Sequence, residues 1–171
     1  YCNEADAIYE GKSVKVMPLE GAEKIVIEGE SFEAFNTSGG CATMCETFEG
    51  EVQNLSYKTI RYPGHLNHMK FLFNDLHLKK NKDVLEKLFD KEVPRTKNDV
   101  IIFFVKVIGL IDGVLQEKTY LRKIYGDEKF SAIQLTTASG VCSALKMFLD
   151  GKIANKGFTK QESLSWDDFL N

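Results

Sequence analysis

SYKTIRYPGH, residues 56–65, joins a strand-like run to a helix-like run and is the most informative stretch of this chain. Tyr57, Thr59 and Ile60 favour an extended backbone. Pro63 cannot donate to a sheet ladder, and Gly64 permits a sharp bend. Apolar residues at helical spacing follow the bend. The pattern therefore predicts a strand that ends at the proline and a helix that runs from there to about residue 77.

Arg61 lies near the predicted end of this strand, where side chains often face a cleft. Its planar guanidinium suits bidentate binding of a carboxylate, because two parallel N–H groups match two carboxylate oxygens. The position therefore indicates a site for a small anionic substrate. A purely structural ion pair is the alternative interpretation of the same residue.

Outside this segment, the pattern predicts strands and helices in mixed order, with a hairpin turn at Asp112-Gly113. Residues 3–21 look irregular apart from one short extended piece. This order predicts an α+β fold, with a mixed, largely antiparallel sheet and helices packed mainly on one face. The predicted strands are 13–17, 24–27, 31–36, 52–62, 99–108 and 114–125, and the predicted helices include 41–48, 82–93 and 131–150.

Composition narrows the class of protein. With 171 residues, 43% hydrophobic and 27% charged, the chain should form one globular domain. The net charge of −3 and the absence of a basic tract argue against nucleic acid as a partner. The longest apolar run, residues 100–111, is interrupted by Lys106 and is too short to span a bilayer, so we expect no membrane association. The start resembles no signal peptide, and with reduced thiols this favours the cytoplasm.

Cysteine and histidine spacing gives little sign of metal or redox chemistry. Cys41 and Cys45 are four residues apart, which would place them on one helix face, but no further ligand lies at a familiar zinc spacing. We therefore expect a structural role for these thiols and no metal site. A dinucleotide fingerprint, a phosphate loop and a nucleophile elbow are also missing, so the sequence predicts neither a cofactor-binding nor a catalytic residue in this chain.

Several segments together resemble the saccharopine dehydrogenase family, including its lysine dehydrogenase relatives. Their order matches the second domain of that family across nearly the whole chain, and the central segment is the most specific. Asn36-Thr37-Ser38-Gly39, where reductases of the family often carry an Asn-Arg-Asp segment, favours the lysine dehydrogenase branch. The segments are EAFNTSGG at 33–40, YKTIRYPGH at 57–65, SAIQLTT at 131–137, Gly157 and Gln161-Glu162.

The resemblance implies more than the residues themselves show. In that family a nucleotide-binding Rossmann domain precedes a second domain that binds substrate and mediates dimerisation. The enzymes oxidise a carbon–nitrogen bond of an amino acid with NAD or NADP. We therefore expect residues 1–171 to be a single substrate-binding and dimerisation domain, a fragment without its Rossmann domain and inactive alone. A small amino-acid substrate and a homodimer are the expected partners. The amino acid and the choice between NAD and NADP stay open.

The resemblance also assigns candidate substrate-binding residues. Arg61 resembles the family arginine that binds a substrate carboxylate. Asn36, Thr37 and His65 are further candidates for contacting the amine or a second carboxylate, with turn and cap hydrogen bonds as the alternative. A non-catalytic self-association or ligand-binding module of the same fold is the competing function.

Overall fold

The computed structural model describes residues 1–170. The chain divides into two compact units, Tyr1–Val93 and a second that begins at Pro94. Within residues 1–170 the strands form three small sheets, every pairing is antiparallel, and five α-helices accompany them. The predicted α+β class with antiparallel pairing is therefore confirmed.

The first unit carries two of the three sheets and three of the helices. Its sheets have the orders β2-β1-β5 and β3-β4-β6. The strands are β1 (Ala5–Tyr9), β2 (Lys12–Val16), β3 (Glu23–Ile27), β4 (Glu30–Phe35), β5 (Asn54–Leu55) and β6 (Thr59–Arg61), and the helices are α1 (Met44–Phe48), α2 (His65–Lys70) and α3 (Lys82–Glu92).

The N-terminal hairpin of β1 and β2 corrects the prediction of a mostly irregular segment. Glu10 and Gly11 connect the two strands with φ values of 51° and 78°, as a tight hairpin turn requires. Strand β1 was missed because alanine and aspartate, which begin it, are depleted in strands. Ile8, fully buried at 0% exposure, fixes the inner face of this sheet.

The predicted strand over residues 52–62 is also corrected, because the structure divides it into β5 and β6. These two strands belong to different sheets: β5 pairs with β1, whereas β6 pairs with β4. The helix after Gly64 begins as predicted and continues as a π-helical turn, Phe71–Asp75. Its residues Leu66, Met69 and Phe73 belong to one of the hydrophobic core clusters of the first unit. The other buried members of that cluster are Leu19, Phe35 and Leu85.

The second unit contains a long hairpin and a long helix. Strands β7 (Val100–Ile111) and β8 (Val114–Tyr125) meet at the predicted Asp112-Gly113 turn. Helix α4 (Ala132–Leu149) begins at a capping box formed by Ser131, and a short α5 (Trp166–Leu170) follows later. Helix α4 is long and apolar enough to cross a membrane by length and composition alone, a test that helices of soluble proteins also pass.

Candidate functional site

Glu33 fixes the turn that leads from β6 into α2. It lies on β4 directly opposite Arg61 in the strand register. Its carboxylate accepts hydrogen bonds from the backbone N–H groups of Leu66 at 2.6 Å and Gly64 at 3.2 Å. A helix leaves its first N–H groups without helical partners, and a carboxylate is a favourable acceptor there. Gly64 itself has a φ of 99°, a backbone conformation that suits glycine.

Arg61 is exposed, and its guanidinium donates its hydrogen bonds to neutral groups. Its Nε donates to the Tyr1 hydroxyl at 3.2 Å, and its Nη1 donates to the carbonyl oxygen of Ile60 at 2.9 Å. No carboxylate among residues 1–170 forms an ion pair with it. Arg61 therefore has no ion-pair partner within 4.0 Å among residues 1–170, and the remaining N–H groups of its Nη atoms are available to a ligand.

Tyr1 links Arg61 to His65. The Tyr1 hydroxyl lies 3.1 Å from Nε2 of His65 as well as 3.2 Å from Nε of Arg61. The tyrosine ring is held by aromatic neighbours, with centroid distances of 6.0 Å to Phe35 and 6.5 Å to Phe73. The hydroxyl therefore occupies a defined position between the two side chains.

The environment of His65 favours its neutral form over its protonated form. Burial lowers the pKa of this imidazole below its usual 6.5, and the positive charge of Arg61 lowers it further. The Glu33 carboxylate opposes the shift and the nearby His68 adds to it. The ring also stacks on Phe35, with centroids 6.2 Å apart. At neutral pH, His65 is therefore an uncharged hydrogen-bonding group.

Thr37 and Asn36 follow β4 and are both buried. The Thr37 hydroxyl lies 2.7 Å from that of Thr59, two residues before Arg61 on β6. Asn36 is 5% exposed, and its backbone pairs with Leu19 and Glu20. Its side-chain oxygen is buried and has no hydrogen-bond partner among residues 1–170. The amide packs so closely on Gly21 that a Cβ there would lie 2.9 Å from its nitrogen.

A cavity of about 220 Å³ opens beside the same tyrosine. Tyr1 and Phe73 form part of its wall, and Glu20, Lys70 and Lys79 supply its charges. Arg61 is not among the residues that line it. The cavity is thus adjacent to the Arg61 group but separate from it.

The cysteines lie apart from this group of side chains. Cys41 and Cys45 are buried beside Ile8, although α1 begins only at Met44 and so contains just one of them. Burial raises the pKa of the Cys41 thiol to about 11, so the reactive thiolate is scarce at neutral pH. Within residues 1–170 no three histidine, cysteine or acidic residues come together in a way that could hold a metal ion.

A nicotinamide cofactor does not fit the part of the chain described here. Dinucleotides bind where parallel strands of a doubly wound sheet diverge, next to a glycine-rich turn. All strand pairs within residues 1–170 are antiparallel, which provides no such crevice.

The structure brings together two of the four candidate residues predicted from sequence, Arg61 and His65, through the Tyr1 hydroxyl. Thr37 is hydrogen-bonded to Thr59 on β6, the strand that carries Arg61. No hydrogen bond within residues 1–170 connects the Asn36 side chain to the other three candidates. Sequence reasoning missed Tyr1 and the cap made by Glu33. Glu33 lies within a segment that carried the family resemblance, whereas nothing in the local pattern marks Tyr1.

One known protein-family model matches the whole chain. The family model described as the saccharopine dehydrogenase C-terminal domain matches residues 1–171. The family implies a cofactor-dependent oxidoreductase in the full-length protein. The chain therefore belongs to the saccharopine dehydrogenase C-terminal domain family.

Proposed function

We propose that this chain is the substrate-binding and dimerisation domain of an NAD(P)-dependent saccharopine or lysine dehydrogenase-like enzyme that acts on an amino-acid C–N bond. Arg61 binds a substrate carboxylate, with His65, Thr37 and Asn36 as further contacts. The nicotinamide is held by sequence outside this chain, which has no catalytic residue of its own. The enzyme works on a small amino acid in the cytoplasm, in lysine metabolism.

One observation carries the proposal: Arg61 is exposed, anchored by neutral partners and unpaired with any carboxylate among residues 1–170. A structural arginine is normally neutralised by a neighbouring acid, whereas a ligand-binding arginine keeps its N–H groups available. The anchoring contacts use Nε and one Nη1 hydrogen, so three Nη hydrogens remain. Their planar arrangement matches the two oxygens of a carboxylate.

The test uses the full-length gene product that contains this chain. We expect it to reduce NAD or NADP in the presence of L-lysine or saccharopine. In Arg61→Gln, KM for the amino acid should rise on the order of 100-fold, because charge-assisted hydrogen bonds to the carboxylate are lost. Lys58→Gln, a charge removed from the same segment, is the control. A full-length protein that binds NAD(P) but oxidises no amino acid would contradict the proposal.

Self-association is supported by the hairpin of the second unit. A two-stranded hairpin is marginally stable by itself, and both of its outer edges offer unpaired backbone groups. Its exposed apolar residues include Val107, Leu110 and Leu115, at 61%, 72% and 69% exposure. An apolar surface of this kind is typical of an interface. This hairpin is therefore the part of the chain that we propose pairs with a second copy.

Sedimentation of the full-length protein tests the dimer. We expect a dimer in the wild type and a shift towards monomer in Val107→Lys, because a lysine would have to be buried in the interface. Val26→Lys, at an exposed valine of β3, should leave the dimer intact. A monomeric wild type, or binding to lipid vesicles through α4, would contradict a role for this unit in dimerisation. A dimer that persists without any ligand binding would instead favour the competing function, a non-catalytic self-association module.

A further inference from the structure

We propose that Tyr1 is a positioning residue, whose hydroxyl receives a hydrogen bond from Arg61 and donates one to a neutral His65, so that the guanidinium is held ready for its ligand. This inference deepens the proposed function and rests on Arg61 being the carboxylate-binding group. Nothing in the family assignment gives Tyr1 this role.

The direction of the hydrogen bonds follows from what each group can do. Arginine has only donors, so the 3.2 Å contact places the Nε–H of Arg61 on the tyrosine oxygen. In the ring plane, a phenol oxygen offers one acceptor direction and its own O–H. With the acceptor direction taken, the O–H is left for Nε2 of His65, 3.1 Å away. Nε2 must then carry no proton, and the neutral ring has its proton on Nδ1.

The surroundings of His65 favour this neutral state. The groups that act on it are Arg61, which faces it from β6, Glu33 from β4, His68 on its own helix, and the Tyr1 hydroxyl. A protonated His65 would direct a second N–H towards an oxygen that already accepts from Arg61. Protonation would therefore compete with the Arg61 contact, and the neutral imidazole preserves it.

The tyrosine can hold Arg61 because the tyrosine is itself fixed. Its ring contacts Phe35, Phe73 and His65 at centroid distances of 6.0, 6.5 and 5.8 Å. A long arginine side chain loses considerable rotamer freedom when it binds a ligand. Tyr1 holds Arg61 at Nε, and the Ile60 carbonyl holds it at Nη1. Much of the rotamer freedom of the arginine is therefore already lost before the ligand binds.

Substrate kinetics of the full-length protein provide the first test. Tyr1→Phe keeps the ring contacts and removes only the hydroxyl. We expect KM for the amino acid to rise about fivefold, the equivalent of one ordinary hydrogen bond, while kcat changes little. Tyr62→Phe is the matched control, because the Tyr62 ring packs on Phe32 at 5.4 Å and its hydroxyl has no partner within residues 1–170. An unchanged KM in Tyr1→Phe would overturn the positioning role.

The tautomer of His65 provides a second test that does not depend on activity. In protein labelled with ¹⁵N-histidine, with the His65 signal identified by its loss in His65→Gln, we expect the neutral ring to carry its proton on Nδ1. In Tyr1→Phe the proton should be free to move to Nε2. A wild-type His65 protonated on Nε2 would refute the chain of hydrogen bonds. If Arg61→Gln raises KM but Tyr1→Phe does not, only the positioning role fails; if neither does, the proposed function fails.

Discussion

The carboxylate of Glu33 accepts the backbone N–H of Leu66 at 2.6 Å, which ties strand β4 to the first turn of helix α2. A second contact from the same carboxylate, to Gly64 at 3.2 Å, holds the residue at which the chain turns. Because Arg61 lies before this turn and His65 directly after it, Glu33 sets the relative position of the two side chains that meet at Tyr1.

Replacing Glu33 with glutamine should destabilise the protein. The amide keeps one acceptor oxygen but places an NH₂ group where a backbone N–H needs an acceptor. We expect the free energy of unfolding to fall by about 1–3 kcal/mol, measured by urea denaturation. The control is Glu30→Gln, on the same strand, because Glu30 is exposed and its side chain makes no hydrogen bond or ion pair within residues 1–170. Equal stability of the two variants would contradict the role given to Glu33.

Gly64→Ala should also weaken the turn, for a reason of backbone conformation. Gly64 has a φ of 99°, which an alanine adopts only with strain. We expect a loss of about 1–3 kcal/mol in the free energy of unfolding and a raised KM, since Arg61 and His65 flank the turn. Gly109→Ala is the comparison, because Gly109 lies in β7 with open space around its Cα and no positive φ. A Gly64→Ala variant as stable as the wild type would rule out this account of the turn.

The stability of the protein should depend on pH through His65. Folding lowers the pKa of this residue below 6.5, so the unfolded chain takes up a proton at a higher pH than the folded one. The free energy of unfolding should therefore fall as the pH drops through 6.5, and level off below the folded-state pKa. Urea denaturation between pH 8 and pH 5 measures this dependence.

His65→Gln should remove that part of the dependence. His77→Asn is the control, because His77 has a positive φ of 54° that asparagine tolerates. If His65→Gln retained the full wild-type loss of stability in acid, the lowered pKa of His65 would not be its source.

Local sequence signals predicted the parts of the fold that local interactions determine. The Asp112-Gly113 turn, with φ values of 52° and 78°, was predicted and is present, and the helix predicted over residues 131–150 is present as α4 (Ala132–Leu149). Strand pairing between distant segments was not visible. Residues 52–62 look like one extended strand, and only their separate partners, β1 and β4, divide them into β5 and β6.

The candidate site was also predictable only where local sequence determines it. Arg61 could be proposed from its residue type and its place before Pro63 and Gly64. The contact between Tyr1 and His65 joins residues 64 positions apart, and no periodicity predicts such a contact. Asn36 was predicted as the last residue of the strand and lies directly after β4, where Thr37 follows it, but the burial of both depends on how the preceding segment folds over them.

The central claim is that Arg61 recognises a carboxylate, and a comparison of paired substrates measures this most directly. For the amino acid that the full-length protein oxidises, kcat/KM is determined for the acid and for its α-carboxamide, in the wild type and in Arg61→Gln. We expect the wild type to prefer the acid by on the order of 100-fold, because the amide lacks the charge that pairs with the guanidinium. In Arg61→Gln the preference should fall to within a few fold. A preference for the acid that survives unchanged in Arg61→Gln would contradict the account.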